Sequence, residues 1–331
     1  VTEIHVVTGG AGFLGAHICR AILSQASKEV VVICVDNLVT GSMANIRDLL
    51  DGPRFRFVLG DAAVALPGGA VVPPGRVTHV WALAALASPR AYFARPMETA
   101  WAGAEAHRRT LEFAAAHGAR VLYTSTSEVY GDPEEHPQSE TYRGNLDPVG
   151  VRACYDESKR YGEMIAAVFY REHGLDVRIA RLFNVYGPGM AQDDGRMIPA
   201  FICAALRGAP LPVHGEGKQT RSLCYVEDAI IGLRALMDAP QSAFHSLPHG
   251  GLPIINIGNP SETPVEAVAR ACWKAVREDD PRIAYVGGNP DDPRRRCPDI
   301  ARARKILHWG PQIDLTEGLR RTAVWFRTQI A

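Results

Sequence analysis

The chain has 331 residues, of which 47% are hydrophobic and 22% charged, the balance of a soluble globular protein long enough for one large core or two moderate ones. Its 36 Lys and Arg equal its 36 Asp and Glu, so no global field favours nucleic acid or an anionic membrane, and no apolar run reaches the length of a membrane span. The seven cysteines form no CxxC pair and no His-bearing metal spacing, and the N-terminus enters a strand-like run at once, so the expectation is a cytosolic protein without a metal.

Residues 4–8 (IHVVT) read as a buried strand, and Gly9-Gly10-Ala11-Gly12-Phe13-Leu14-Gly15 turns it into a helix beginning near Ala16. Gly9, Gly12 and Gly15 are spaced GxxGxxG, not the GxGxxG of the older dinucleotide fingerprint, but they do the same work. They let the backbone approach a pyrophosphate and let a helix N-terminus face its charge. A second strand, 29–35, ends at Asp36. A carboxylate there accepts hydrogen bonds from ribose hydroxyls and repels a 2′-phosphate, which favours NAD over NADP.

Further strands are expected at 55–60, 77–83, 120–124 and 176–183, separated by helix-compatible or loop sequence, with helices near 96–117 and 155–173. This alternation predicts an α/β fold: a Rossmann-like, doubly wound parallel sheet with ligands at the carboxyl ends of its strands. From about Val185 the texture changes, as Gly187-Pro188-Gly189, Gly208-Ala209-Pro210 and Gly215-Glu216-Gly217 punctuate short elements. The expected division is an NAD-binding domain of 1–184 plus about 223–258, and a smaller, partly discontinuous substrate domain of about 185–222 plus 259–331. Ala229 to Met237 is apolar at helical spacing, and the last helices are expected at 264–276 and 316–330.

Two tracts carry chemistry: Thr126-Ser127-Glu128-Val129-Tyr130-Gly131 and Tyr155-Asp156-Glu157-Ser158-Lys159. Tyr155 and Lys159 are four residues apart, so on a helix the phenol and the ammonium share a face. A cation beside a phenol favours the phenolate, and the expectation is a lowered Tyr155 pKa and a usable acid/base.

With the glycine turn, Asp36, the YxxxK helix and Asn184-Val185-Tyr186-Gly187-Pro188 in order, the chain resembles the extended short-chain dehydrogenase/reductases. Within them it most resembles the UDP-glucuronate decarboxylases, or UDP-xylose synthases, nearly end to end. The most specific stretches are 125–138 (STSEVYGDPEEHPQ), 152–160 (RACYDESKR), 215–226 (GEGKQTRSLCYV) and 291–300 (DDPRRRCPDI). Ser127 separates the branches: the related 4,6-dehydratases carry an Asp there to protonate a departing hydroxyl, and many 4-epimerases lack the glutamate.

The resemblance implies catalytic roles for Thr126, Ser127, Glu128, Tyr155 and Lys159. It implies NAD contacts at Gly9, Gly12, Phe13, Leu14, Gly15, Asp36, Asn37, Asp61, Leu83 and Ala84, with Tyr155 and Lys159. For the UDP-glucuronate substrate it implies Ser88, Tyr92, Asn184, Arg196, Arg221 and the cluster Arg294, Arg295 and Arg296; Arg294 and Arg295 are the candidates put forward, and which of the three points inward stays open. Tyr155 would take the C4 hydroxyl proton as that carbon is oxidised, with Thr126 bonded to the same oxygen. The β-keto acid would lose carbon dioxide, C5 would be protonated near Glu128 and Ser127, and C4 would be reduced again. The family's helices near 96–117 and 155–173 imply a homodimer. Departures from the family pattern are Ala82, Ala85 and Leu86, at positions that the resemblance puts near the nicotinamide ribose and the sugar pocket, and Arg90 and Ala91. The competing readings are a 4,6-dehydratase or 4-epimerase, an oxidative decarboxylase that releases the keto-pentose, and a silent NAD-sensing scaffold.

Overall fold

The computed structural model describes residues 2–24, 29–67, 72, 76–287 and 295–330. Seven strands form its central sheet: β1 (Glu3–Thr8), β2 (Val30–Asp36), β3 (Phe55–Leu59), β4 (Arg76–Ala82), β5 (Arg120–Thr126), β6 (Val177–Leu182) and β7 (Ile254–Ile257). They lie in the order β7-β6-β5-β4-β1-β2-β3 and every pair is parallel. The chain reverses direction across the sheet between β1 and β4, which opens a crevice at their carboxyl ends. Six strands fall where the apolar runs predict them. β7 is four residues long and too short to stand out in the sequence, and it is fixed only by pairing with β6.

Side chains alternate between the two faces of the sheet. Val7, Val30, Val32, Cys34 and Leu122 enter one core together with Ile18, Cys19 and Ile22 of α1 (Phe13–Leu23). Ile4, Val6, Ile33, Val35, Val121 and Tyr123 enter the other, against Leu111, Ala114 and Ala166 of the helices on that face. The expected helix at 96–117 is three pieces: α3 (Pro96–Trp101), a π turn at Ala102–Ala106 and α4 (His107–His117), preceded by a short α2 (Pro89–Ala94). Helix α5 (Ala153–His173) runs 21 residues and stops at Gly174, which takes the left-handed conformation that ends helices.

After β6 come α6 (Met197–Leu206), α7 (Val226–Asp238) and the helices Val265–Lys274, Ala301–Leu307 and Leu315–Ile330. Three two-stranded pairs were not foreseen: Val185–Tyr186 with Cys224–Tyr225, Thr220–Ser222 with Glu262–Pro264, and Leu211–His214 with Ile283–Val286. The first core continues without a break from α1 and the sheet through Phe201, Leu233, Trp273 and Phe326. The described C-terminal segments thereby share the core of the sheet.

Candidate active site

Helix α1 begins at Gly12 with no side-chain cap and no acidic residue in its first turn, so its free N–H groups face the crevice. Its close approach to the turn requires glycine: a Cβ on Gly15 would lie 2.1 Å from the Gly9 carbonyl oxygen. Gly9 itself has φ +71 and would strike the Ala84 backbone at 2.8 Å. At the end of β2 the Asp36 carboxylate accepts from Ala11 N at 3.0 Å and Leu38 N at 2.8 Å. Burial raises its pKa, and those backbone donors oppose the shift. Asn37 Nδ2 donates to Asp61 Oδ2 at 3.1 Å, tying the ends of β2 and β3 together.

The crevice widens into one cleft of about 820 Å³, lined by the glycine turn, Phe13, Leu14, Asp36, Asn37, Asp61, Leu83 and Ala84 on one side. Thr126, Ser127, Glu128, Tyr155, Lys159, Ser88, Tyr92, Asn184, Arg196 and Arg221 line the rest. Thr126 ends β5, and its Oγ1 accepts from Glu128 N at 3.3 Å, which starts the short turn holding Ser127 and Glu128. Ser88 caps α2, and Tyr92 on that helix stacks on the Tyr155 ring at 5.4 Å.

Tyr155 and Lys159 share the inner face of α5. Lys159 Nζ donates to the Thr124 carbonyl at 2.8 Å and lies 6.0 Å from the Tyr155 ring centre. Burial lowers the ammonium to about 8, opposed by the Glu163 carboxylate. The Tyr155 phenol is raised, which departs from the expectation drawn from the spacing. Burial is the largest cause, the Glu128 carboxylate adds to it, and the Thr126 hydrogen bond opposes both. The ammonium is engaged by a backbone carbonyl, so it does not offset desolvation of the phenolate.

Glu128 is partly buried, held between two guanidiniums. Arg152 Nη2 and Arg296 Nη1 each donate to it in short contacts, and Arg296 Nη2 reaches Oε2 at 2.9 Å. Burial by itself would raise this carboxyl, but Arg296, Arg152 and Arg221 reverse the effect and hold it below the ordinary glutamate value. Asp156, one residue beyond Tyr155, is pushed up to about 7 by burial and by the Glu128 charge, against the pull of Arg152 and Arg296.

The sequence leaves open which member of the arginine cluster faces inward. Arg294 lies outside the described residues. Arg295 is exposed and does not line the cleft; its Nη2 meets His136 Nε2 at 2.8 Å and Glu262 Oε2 at 3.4 Å. Arg296 takes the inward place. The cause is local: Gln138 N donates to Cys297 O, and Cys297 N to Gln138 Oε1, both at 2.8 Å. In a segment held extended this way, successive side chains point to opposite sides. Arg152 was missed as well, although its position three residues before Tyr155 marks it as a same-face neighbour.

Around the mouth of the cleft, Arg196 donates to Asp194 Oδ2 at 2.7 Å and lies over the Phe13 ring at 5.8 Å. His17 meets the Pro188 carbonyl at 2.9 Å. Arg90, a departure from the family pattern, donates to Asp193 across the mouth, and Leu86 is buried. Arg221 on the strand Thr220–Ser222 is buried with Nη1 on the Thr220 carbonyl at 2.8 Å.

Residues 5–258 match the NAD dependent epimerase/dehydratase family. The chain is similar to UDP-glucuronic acid decarboxylase 6 of Arabidopsis thaliana, with 42% identity over 325 residues covering 98% of this chain and 89% of the relative. It is also similar to UDP-glucuronic acid decarboxylase 1 of Xenopus tropicalis, 38% identical over 98% of this chain and 72% of the relative. Among solved structures, the dTDP-glucose 4,6-dehydratase DesIV of Streptomyces venezuelae with NAD bound superposes with a TM-score of 0.83 at 28% identity, over 98% of this chain and 97% of that one.

Proposed function

The chain belongs to the NAD-dependent epimerase/dehydratase family, and from that membership we propose that it is a UDP-glucuronate decarboxylase that forms UDP-xylose without net redox change. The observation that carries the reading is the pair of guanidiniums, Arg152 and Arg296, turned into the cleft beside Tyr155 and Thr126. Planar cations in a buried pocket are suited to a substrate carboxylate. Arg296 Nε is buried without a hydrogen-bond partner.

The glycine turn, the uncapped start of α1 and the Asp36 carboxylate suit a dinucleotide lacking a 2′-phosphate. When bound, NAD supplies the acceptor and later the donor of the C4 hydride. Tyr155 holds and returns the proton of the C4 hydroxyl, and Thr126 and Tyr155 together donate to the enolate oxygen left when carbon dioxide departs. Glu128, which the guanidiniums keep ionised, orients them against the substrate carboxylate and then holds the water that protonates C5. Ser127 is too weak an acid to drive a hydroxyl out, which disfavours dehydration on this scaffold. Asn184, Arg196 and Arg221 serve the nucleotide diphosphate and sugar. Residues 1–184 with 223–258 serve the cofactor, and the remainder the sugar nucleotide.

We place the protein in the cytoplasm as a homodimer. All seven cysteines are free thiols, which suits a reducing compartment, and among the described residues no helix is long and apolar enough to cross a membrane. Phe93, Met97, Trp101, Tyr161 and Met164 are exposed large apolar side chains on α2, α3 and α5, a surface that suits a second copy.

The test is incubation with UDP-glucuronate and NAD, following carbon dioxide, NADH absorbance and the mass of the sugar nucleotide. Carbon dioxide with a UDP-pentose and no NADH is the expected result. Accumulated NADH with a keto-pentose makes it the oxidative variant, and unchanged UDP-glucuronate with turnover of UDP- or dTDP-hexoses overturns the reading of Ser127.

A further inference from the structure

Asp156 is a buried carboxyl to which the reaction above gives no task. It is 8% exposed, and its Oδ1 has no hydrogen-bond partner. Its Oδ2 lies 3.6 Å from Arg152 Nε. The other side of the same guanidinium is on Glu128, which in turn holds Arg296. Two carboxylates and two guanidiniums therefore alternate in one row, Asp156–Arg152–Glu128–Arg296, buried at both ends and partly buried between them, with Arg221 acting on Glu128 from outside it.

The groups facing Asp156 come from every neighbouring element. Arg152, Cys154 and Tyr155 stand on its own stretch of chain, Glu128 on the turn after β5, Arg296 on the segment paired with Gln138, and Tyr92 on α2. Tyr92 lies 5.8 Å from the Arg152 guanidinium carbon, closing that side of the row with an aromatic ring. The row by itself is charge-balanced. A uronate carboxylate brought against Arg152 and Arg296 adds a third anion to the row, and the group least able to stay ionised is the buried one with an unpartnered oxygen.

We propose that Asp156 is a positioning residue that takes up a proton when the substrate carboxylate enters, releasing the Arg152 guanidinium from a shared grip so that it serves Glu128 and the substrate. This rests on the decarboxylase reading. The proton comes from solvent, no bond other than the O–H is made, and Asp156 touches neither substrate nor cofactor. Neutral Asp156 also supplies a donor, so the bare oxygen is no longer a buried unpaired charge.

The proposal predicts a proton count. Calorimetry of UDP-glucuronate binding to NAD-loaded Tyr155→Phe protein, in buffers of different ionisation enthalpy near about pH 7.5, should show uptake of roughly half a proton or more. UDP-xylose, which lacks the carboxylate, should show none, and Asp156→Asn in the same background should abolish the uptake while keeping affinity within a few-fold. Uptake that persists in Asp156→Asn, or binding with no uptake, overturns the proposal and leaves the decarboxylase reading intact. If UDP-glucuronate does not bind and the wild-type protein releases no carbon dioxide, the decarboxylase reading is what fails. The substrate-free protein then decides: a protonated-carboxyl infrared band that titrates near neutrality and vanishes in Asp156→Asn supports a proton-holding Asp156, and its absence overturns it.

Discussion

Burial raises the Tyr155 phenol above the ordinary tyrosine value, and the Glu128 carboxylate adds to the shift, so at neutral pH the free protein holds this group as the protonated donor. In the proposed reaction this proton is exchanged with the C4 oxygen of the substrate. Removing the hydroxyl alone should therefore spare binding and stop chemistry. Tyr155→Phe is expected to keep NAD affinity within a few-fold and to lower turnover by about two to four orders of magnitude; near-normal turnover excludes the role. Lys159 supplies a second test at this scale. Its pKa is lowered to about 8, so the ammonium is present below that pH and lost as pH rises through it. NAD affinity measured from pH 6 to 9.5 is expected to fall with a midpoint near that value. The fall should be absent in Lys159→Met, whose affinity is low throughout; a pH-independent wild type would exclude a charged contact from Lys159 to the cofactor.

Single elements carry the site because their ends, more than their middles, face the cleft. Strand β5 ends at Thr126, β2 ends at Asp36, α1 starts bare at Gly12, and α5 places Tyr155 and Lys159 on successive turns. The packing of α1 on its own turn is the least forgiving contact. The atom that a Cβ on Gly15 would meet at 2.1 Å is a backbone oxygen, which cannot rotate away as a side chain can. Gly15→Ala is expected to cost about 1–3 kcal/mol of stability as α1 is pushed off the turn, and to weaken NAD more than tenfold. Thermal unfolding with and without NAD measures both effects, and an unchanged midpoint with unchanged affinity would show that the helix can shift freely. The π turn at Ala102–Ala106 illustrates the opposite case. Its sequence, AGAEA, reads as ordinary helix, and the extra residue is accommodated only because α3 and α4 both pack against α5.

For the molecule as a whole, the strand order decides where chemistry takes place. Because β1 and β4 are neighbours while the chain turns away in opposite directions from them, the glycine turn, Thr126 and Tyr155 meet at one crevice although 146 residues separate Gly9 from Tyr155. The unbroken first core joins the described C-terminal segments to the sheet, and Arg296 meets Glu128. On the outside, Trp101 is one of the exposed apolar side chains of α2, α3 and α5. Trp101→Glu is expected to halve the mass seen by sedimentation if this surface joins two copies; an unchanged mass would place the contact elsewhere. Much of this was legible before folding was considered. Six of the seven central strands, the glycine turn, Asp36 and the Tyr155–Lys159 pair are written in periods of two, three and four residues, and local sterics and hydrogen bonding determine what such spacings become. The seventh strand, the choice of Arg296 as the inward member of its cluster, the addition of Arg152 and the upward shift of Tyr155 were decided by the tertiary structure alone. Each depends on partners distant in sequence: a neighbouring strand, the Gln138 backbone, a partly buried glutamate, and water excluded by all of them together.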